Sequence, residues 1–234
     1  MNRELSGLSS MATRPVLADL AAHLRDAHGV AVRIEAAGGV ETARRVREGA
    51  AADLLVLASG ALSALAAEGF VVPGTVTPLW LSQVVAAVPE GAPVPVLGSA
   101  AELRAALLSA GRIAYSTGPS GTALVELIAR LGLTDALRDR LVRTAPGVPV
   151  GSLLADGGAE LAFQQHSELA DLAGVTVVGP LPGDTAITSA FDGAVLTASA
   201  APDRARDALA LLRSGRASEL AAARGMRAAT ADAD

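Results

Sequence analysis

The stretch VAVRIEAAGGVETARRVREGAAADLLVLASG, residues 30–60, decides the architecture. It opens on VAVRIEA, 30–36, which reads as a strand. GGVETARRVREG, 38–49, follows as a glycine turn and a short helix. ADLLVLASG, 52–60, is a continuous apolar run of the kind that a parallel strand buried on both faces needs. Upstream, in LSSMATRPVLADLAAHL (8–24), Leu17, Leu20, Ala21 and Leu24 recur at i, i+3, i+4 and i+7. That spacing predicts an amphipathic helix closed by Gly29. The order is β-α-β-α-β, and a parallel sheet flanked by helices is the natural solution for it.

Working outward, LSALAAEG (62–69) supplies another short helix, and residues 70–96, FVVPGTVTPLWLSQVVAAVPEGAPVPV, form an extended stretch punctuated by prolines that reads as a crossing between domains. A second alternating unit follows. It comprises a helix over 100–110, the strand RIAYS (112–116), the loop TGPSG (117–121) and a helix over 122–131. Helical segments are predicted near 135–143 and 149–156. Then come the strand and polar turn of ELAFQQHSEL (160–169) and the strand in GVTVVGPLPGD (174–184). TAITSAFDGAVLTAS (185–199) returns as extended chain, amphipathic helices are expected over 202–213 and 217–224, and ATADAD reads as a frayed tail. The expected lobes are 1–80 with 185–234, and 81–184, with crossings near Trp80 and Asp184 and a ligand cleft between them.

Composition narrows the function. With 51% hydrophobic residues in 234, a globular α/β core is affordable only if Ala, Val and Leu fill it, since aromatics are 2%. The 19 basic and 24 acidic residues give a net charge of −5, which removes the electrostatic footprint of a nucleic-acid binder. Any anion must therefore be held locally. Cysteine is absent and the three histidines are dispersed, so thiolate chemistry is excluded and no metal or cofactor is expected. No apolar segment suits a membrane span. The start MNRELSGLSS lacks an apolar run of signal-peptide length, which predicts a cytoplasmic chain; removal of an export signal would leave a similar start and a periplasmic or extracellular protein.

In parallel sheets ligands lie beyond the carboxyl ends of the strands. Four polar loops hold that position: SSMATR (9–14), LASG (57–60), YSTGPSGT (115–122) and FQQHSEL (163–169). Free N–H groups at helix N-termini, supplemented by small hydroxyls, suit an anion. The bland readings are that Ser9, Ser10 or Thr13 caps the first helix, that Ser59 and Gly60 only turn the chain, and that His166 faces solvent. Arg14 lies in a helix's first turn, a poor place for a cation, and its fork suits a carboxylate. His23 and His28 read as surface residues.

The segments LSSMATRPVLADL, GGVETARRVREGAAADLLVLAS, RIAYSTGPSGTALVELIARLG, AELAFQQHSEL and GVTVVGPLP together resemble the molybdate-binding-protein-like branch of type II periplasmic binding proteins. Within it, SSMATR combined with FQQHSEL is most similar to the aconitate isomerase group. The resemblance implies two lobes, each a mostly parallel sheet flanked by helices, closing on a small anion such as a tricarboxylate or an oxyanion. It implies ligand-binding positions at Ser9, Ser10, Ser59, Ser116, Ser120, Gly121 and Thr122, beside which Met11, Arg14, Gly39, Gly60, Gln164 and Gln165 stand as further ligand-binding candidates. Two departures stand out: Gln83 replaces an expected arginine, and His166 an expected apolar residue.

Two function classes remain open. One is a metal-independent isomerase that moves the double bond of an aconitate-like polycarboxylate by proton transfer, with Arg14 gripping carboxylate and His166, or second to it Glu168, as the base. The other is a solute receptor that delivers an oxyanion or organic anion to the permease of an ABC transporter, the only reading that calls for a protein partner.

Overall fold

The structure is a computed structural model that describes residues 3–145 and 147–229, so all of ATADAD after Ala229 lies outside the described residues. In chain order, β1 (Leu5–Ser10) passes through a single 3-10 turn, Met11–Thr13, into α1 (Arg14–His28). Then follow β2 (Val32–Ala37), α2 (Gly39–Arg47), β3 (Leu54–Ala58), α3 (Ser59–Ala67) and the long β4 (Thr77–Pro89). The next elements are α4 (Ala100–Ser109), β5 (Ile113–Tyr115), α5 (Pro119–Arg130), α6 (Thr134–Leu137), β6 (Leu141–Arg143), α7 (Val150–Ala155), β7 (Leu161–Gln165), α8 (His166–Leu169) and β8 (Val175–Pro180). The chain closes through β9 (Thr188–Val195), α9 (Pro202–Leu211), α10 (Gly215–Ala223) and β10 (Met226–Ala228).

The chain divides into two units, Met1–Ser82 with Ser189–Asp234, and Gln83–Thr188. In the first, β1 lies between β2 and β3, parallel to both, with Ser9 opposite Ala36 and Val56. The run Leu54–Leu57 shows why helices cover both faces of this sheet. Leu54 and Val56 join the core built by Leu17, Leu20 and Leu24 of α1 with Ala205 and Leu209 of α9. Leu55 and Leu57 join the opposite core, with Val46 of α2 and Leu62 and Leu65 of α3. A strand with two apolar faces is stable only between two helical layers. Helix α1 stops where expected: Gly29 adopts φ 64°, and its N–H donates to the carbonyls of Arg25 and Leu24. On α1, the His23 and His28 rings meet edge to face, with centroids 5.5 Å apart.

The second unit repeats the plan. Parallel β5 has β6 on one side and β7 on the other. Val84, Ala86 and Val88 of β4 face one core with α4 and α5, whereas Val85 and Ala87 face the other with α7 and α8. Both units are α/β, as expected, and each sheet is mixed rather than mostly parallel. The added strands are the returning ones: β9 runs antiparallel to β3, β10 to β4, and β7 and β8 to β4.

One expected element is different. The segment 135–143 was predicted as helix, but α6 ends at Leu137 and Leu141–Arg143 is strand β6. Leu141 and Val142 pair in register with Ile113 and Ala114, and completing the sheet edge outweighs a short helical period.

A buried carboxylate ties the first unit together at the amino end of β3. Asp53 is fully buried and accepts from the Ser6 N–H at 2.9 Å, the Ser6 hydroxyl at 3.1 Å, the Ser199 hydroxyl at 2.8 Å and Arg3 at 3.2 Å. Burial pushes this carboxyl up, but the Ser6 N–H, the Ser199 and Ser6 hydroxyls and the Arg3 charge outweigh burial and hold it below its ordinary value. A depressed folded pKa stabilises above the unfolded value of about 4, and that stability disappears as pH falls through the folded value. Asp53→Asn should therefore cost about 1–3 kcal/mol at pH 7, seen as a lower Tm. Its Tm should also fall less steeply than the wild type's below about pH 4.

Candidate functional site

In the first unit, three adjacent parallel strands each run almost directly into a helix. β1 ends at Ser10 before the turn leading into α1, β2 ends at Ala37 with α2 starting at Gly39, and β3 ends at Ala58 with α3 starting at Ser59. Among the described residues the N-cap positions of α1, α2 and α3, Thr13, Gly38 and Ala58, provide no capping side chain. The capping reading of the first loop therefore fails. Ser9 instead donates to the Ser10 carbonyl at 3.3 Å, Thr13 donates to the same carbonyl at 3.1 Å, and the Ser10 and Thr13 hydroxyls lie 3.3 Å apart. Thr42 of α2 donates to the Ser9 carbonyl at 3.1 Å, locking the loop to its neighbour. The Ser59 hydroxyl is buried and has no hydrogen-bond partner among the described residues.

Among the described residues α6 to α9 likewise have no capping side chain at the N-cap, and only α4 and α10 are capped. Ser99 caps α4 by accepting from the Glu102 N–H, and Ser214 caps α10 by accepting from the Ala217 N–H. Serines thus satisfy N–H groups at those two helix entrances, whereas the N-cap side chains at the strand ends do not. Open N–H groups at several helix entrances on one face suit a small anion. Met11 is half-buried in the turn, Gly39 and Gly60 lie in the first turns of α2 and α3, and Arg14 is the exposed first residue of α1.

The second unit carries a similar face at the ends of β5, β6 and β7. Ser116 follows β5, and its hydroxyl lies 3.1 Å from that of the buried Ser120 in the first turn of α5, another uncapped helix. Gly121 is required there: a Cβ at this position would stand 1.9 Å from the Ser116 carbonyl oxygen. Thr122 is exposed one residue on. Gln83, at the unit's first residue in β4, is exposed.

Along β7 the side chains alternate, so Gln165 shares a face with Phe163 and Gln164 shares one with Ala162, towards α7 and α8. Gln164 is buried; its carbonyl accepts from the Val150 N–H at the start of α7 at 3.0 Å, and its amide donates to Glu168 Oε1 at 2.8 Å. Burial pushes the half-buried Glu168 carboxyl up to about 7, against the opposing pull of the Gln164 bond. His166, half-buried, begins α8.

The expected site residues thus fall into two sets, Ser9 to Gly60 on the first unit and Ser116 to Glu168 on the second. Sequence reading missed Arg143 and Thr144. Arg143 ends β6 opposite Tyr115 and is exposed, and Thr144 donates its N–H to the Tyr115 carbonyl at 3.0 Å. The signal was the apolar pair Leu141–Val142, hidden inside a segment read as helix. Among the described residues no cluster of three acidic or histidine side chains is placed to hold a metal ion, and no helix is long and apolar enough to cross a membrane.

A family model described as bacterial extracellular solute-binding protein matches residues 5–227. The chain belongs to that family. Its description refers to extracellular proteins and lends no support to a cytoplasmic location. An aconitate isomerase from Pseudomonas sp is 32% identical over 216 residues, covering 90% of this chain and 82% of the relative. The fold is that of type II periplasmic binding proteins. The periplasmic molybdate-binding protein of Azotobacter vinelandii superposes with a TM-score of 0.81 at 20% identity, covering 95% of this chain and 98% of that one. The sulfate-binding protein SubI of Mycobacterium tuberculosis gives 0.80 at 16% identity, covering 98% and 88%.

The contact between α5 and Ser116 yields a test. Gly121→Ala forces the first turn of α5 off the Ser116 carbonyl and should cost about 1–3 kcal/mol, measured as a lower Tm in thermal unfolding. At Gly118 the nearest atom to an added Cβ is 3.9 Å away, so Gly118→Ala should leave Tm within about a degree of the wild type.

Proposed function

We propose that this protein binds a small polycarboxylate and moves its double bond by proton transfer, as in the interconversion of cis- and trans-aconitate. The observation that carries the reading is Glu168: a carboxyl lifted to about 7 by burial, with one oxygen bonded to Gln164, at the carboxyl end of a parallel strand. A base is most effective when its pKa lies near the working pH. The kinship with an aconitate isomerase over most of the chain supports the same reading.

The chemistry divides among the residues as follows. Glu168 removes a proton from the methylene carbon, and the electron pair delocalises through the allylic system into a carboxylate. The proton then returns at the other end, so the double bond has moved and no atom is gained or lost. The uncapped helix entrances of α1, α2, α3 and α5 donate to the carboxylates, and the unpartnered Ser59 hydroxyl adds a donor for the developing negative oxygen. Arg14 supplies a fork for a second carboxylate. In this assignment Glu168 takes the role of base ahead of His166, because it combines a near-neutral pKa with a fixed partner.

Trans-aconitate incubated with the protein in deuterated water should give cis-aconitate with deuterium at the exchanged carbon, followed by proton NMR. Glu168→Gln should lower kcat at least 100-fold while binding persists, and His166→Ala should retain most activity. Bound substrate with neither conversion nor deuterium uptake would reject the isomerase.

Ser10→Ala, Ser59→Ala and Ser120→Ala should each weaken binding by about 1–3 kcal/mol in calorimetric titration. Family membership favours a second reading, a receptor for an oxyanion or organic anion that serves an ABC permease. Thermal shift separates the two: a ligand at 100 times its Kd stabilises by about 2.7 kcal/mol, so stabilisation by molybdate or tungstate but not by the aconitates or citrate would favour the receptor.

A further inference from the structure

Glu168 does not stand alone in its corner of the second unit. The elements packed against α8 are β7, α7 and β8. None of the residues Leu161–Gln165, Val150–Ala155 or Val175–Pro180 is ionisable. The charged or titratable groups nearby in sequence are His166 on the same helix, Glu160 just before β7, whose carboxylate accepts from the Gly111 N–H, and Asp171 after α8, which has an interaction of its own. No cation balances the Glu168 carboxylate from the packed elements. The group that reaches it is the amide of Gln164.

That amide can have only one orientation. Its oxygen must face the Val150 N–H, because a backbone N–H needs an acceptor, and its NH2 therefore points at Glu168 Oε1. With 4% of Gln164 exposed, the amide cannot exchange these partners for water at little cost. Glu168 Oε2, by contrast, has no hydrogen-bond partner among the described residues.

We propose that Gln164 is a positioning residue that uses the first N–H of α7 as an anchor to tie one oxygen of Glu168 and leave the other free to take the substrate proton. This rests on the reading of Glu168 as the base. The amide also donates to the charged form of the carboxylate, and so opposes the upward push of burial. Without it Glu168 would remain protonated to higher pH and be a weaker candidate to accept a proton near neutrality.

Two substitutions separate anchoring from tuning. Gln164→Glu, when ionised, keeps an acceptor for the Val150 N–H and replaces the donor facing Glu168 by a like charge. Gln164→Met keeps the chain length and removes both bonds. The probe is carbon-13 NMR of protein labelled at the glutamate carboxyl carbons, with the Glu168 signal assigned by its loss in Glu168→Gln. The expected result is an upward shift of the Glu168 titration midpoint in both variants, larger in Gln164→Glu, where the pair titrates as a coupled unit. The acid limb of kcat/KM for trans-aconitate should move up with it, with activity recovering above that limb and KM changing less than about twofold. An unmoved midpoint in both variants overturns the role of Gln164, as does a drop in kcat of equal size at every pH. A midpoint that rises while the kcat/KM profile stays in place upholds the Gln164–Glu168 link and overturns Glu168 as the base.

Discussion

Much of this molecule follows from the need of a parallel strand to be covered on both faces. Leu54 to Leu57 is apolar at every position, so its alternating side chains build two cores, and each core requires a layer of helices. Parallel neighbours require every strand to return by a crossover, and each crossover helix begins where its strand ends. The strand ends of a unit therefore collect helix N-termini as a by-product of burying leucine and valine. A hydrophobic requirement has produced an electrostatic feature.

That feature gives each face donors of the kind that the proposed anion binding needs. The protein is acidic overall, so long-range attraction brings no anion to it, and selectivity must come from short-range donors. At α1, α2, α3 and α5 the N–H groups are left without side-chain caps, while the nearby hydroxyls of Ser9, Ser10 and Thr13 bond to one another and to carbonyls. The second unit adds a carboxyl with a pKa near neutrality to a comparable set of donors. Binding alone needs only the donors. A half-buried carboxyl with no cation on the elements packed against its helix raises the cost of the folded state, and the proposed proton transfer gives that cost a purpose.

The parts of this arrangement that were legible in the sequence were those with a local signal. The period of Leu17, Leu20 and Leu24, the stop at Gly29 and the apolar run 54–57 each point to one structure, and the strand-end loops followed from their order. The hydroxyls of the first loop were located correctly as a polar cluster, but their bonds to carbonyls rather than helix N–H groups depend on side-chain geometry that residue type does not carry. Strand β6 was hidden because three residues have no period, and only pairing with β5 makes them a strand. Glu168 could be named from its loop, whereas its elevated pKa comes from the packing of α7, α8 and β7, which bring the apolar surroundings together only in the folded chain.

Asp53 sits at the amino end of β3, and Ser59 follows the carboxyl end of the same strand. The first fastens the beginning of the chain, the start of β3 and the segment after β9; the second begins α3. Substitutions in the strand-end loops of this unit therefore leave that fastening untouched, so those loops can vary in sequence while the anchor at the other end of β3 holds.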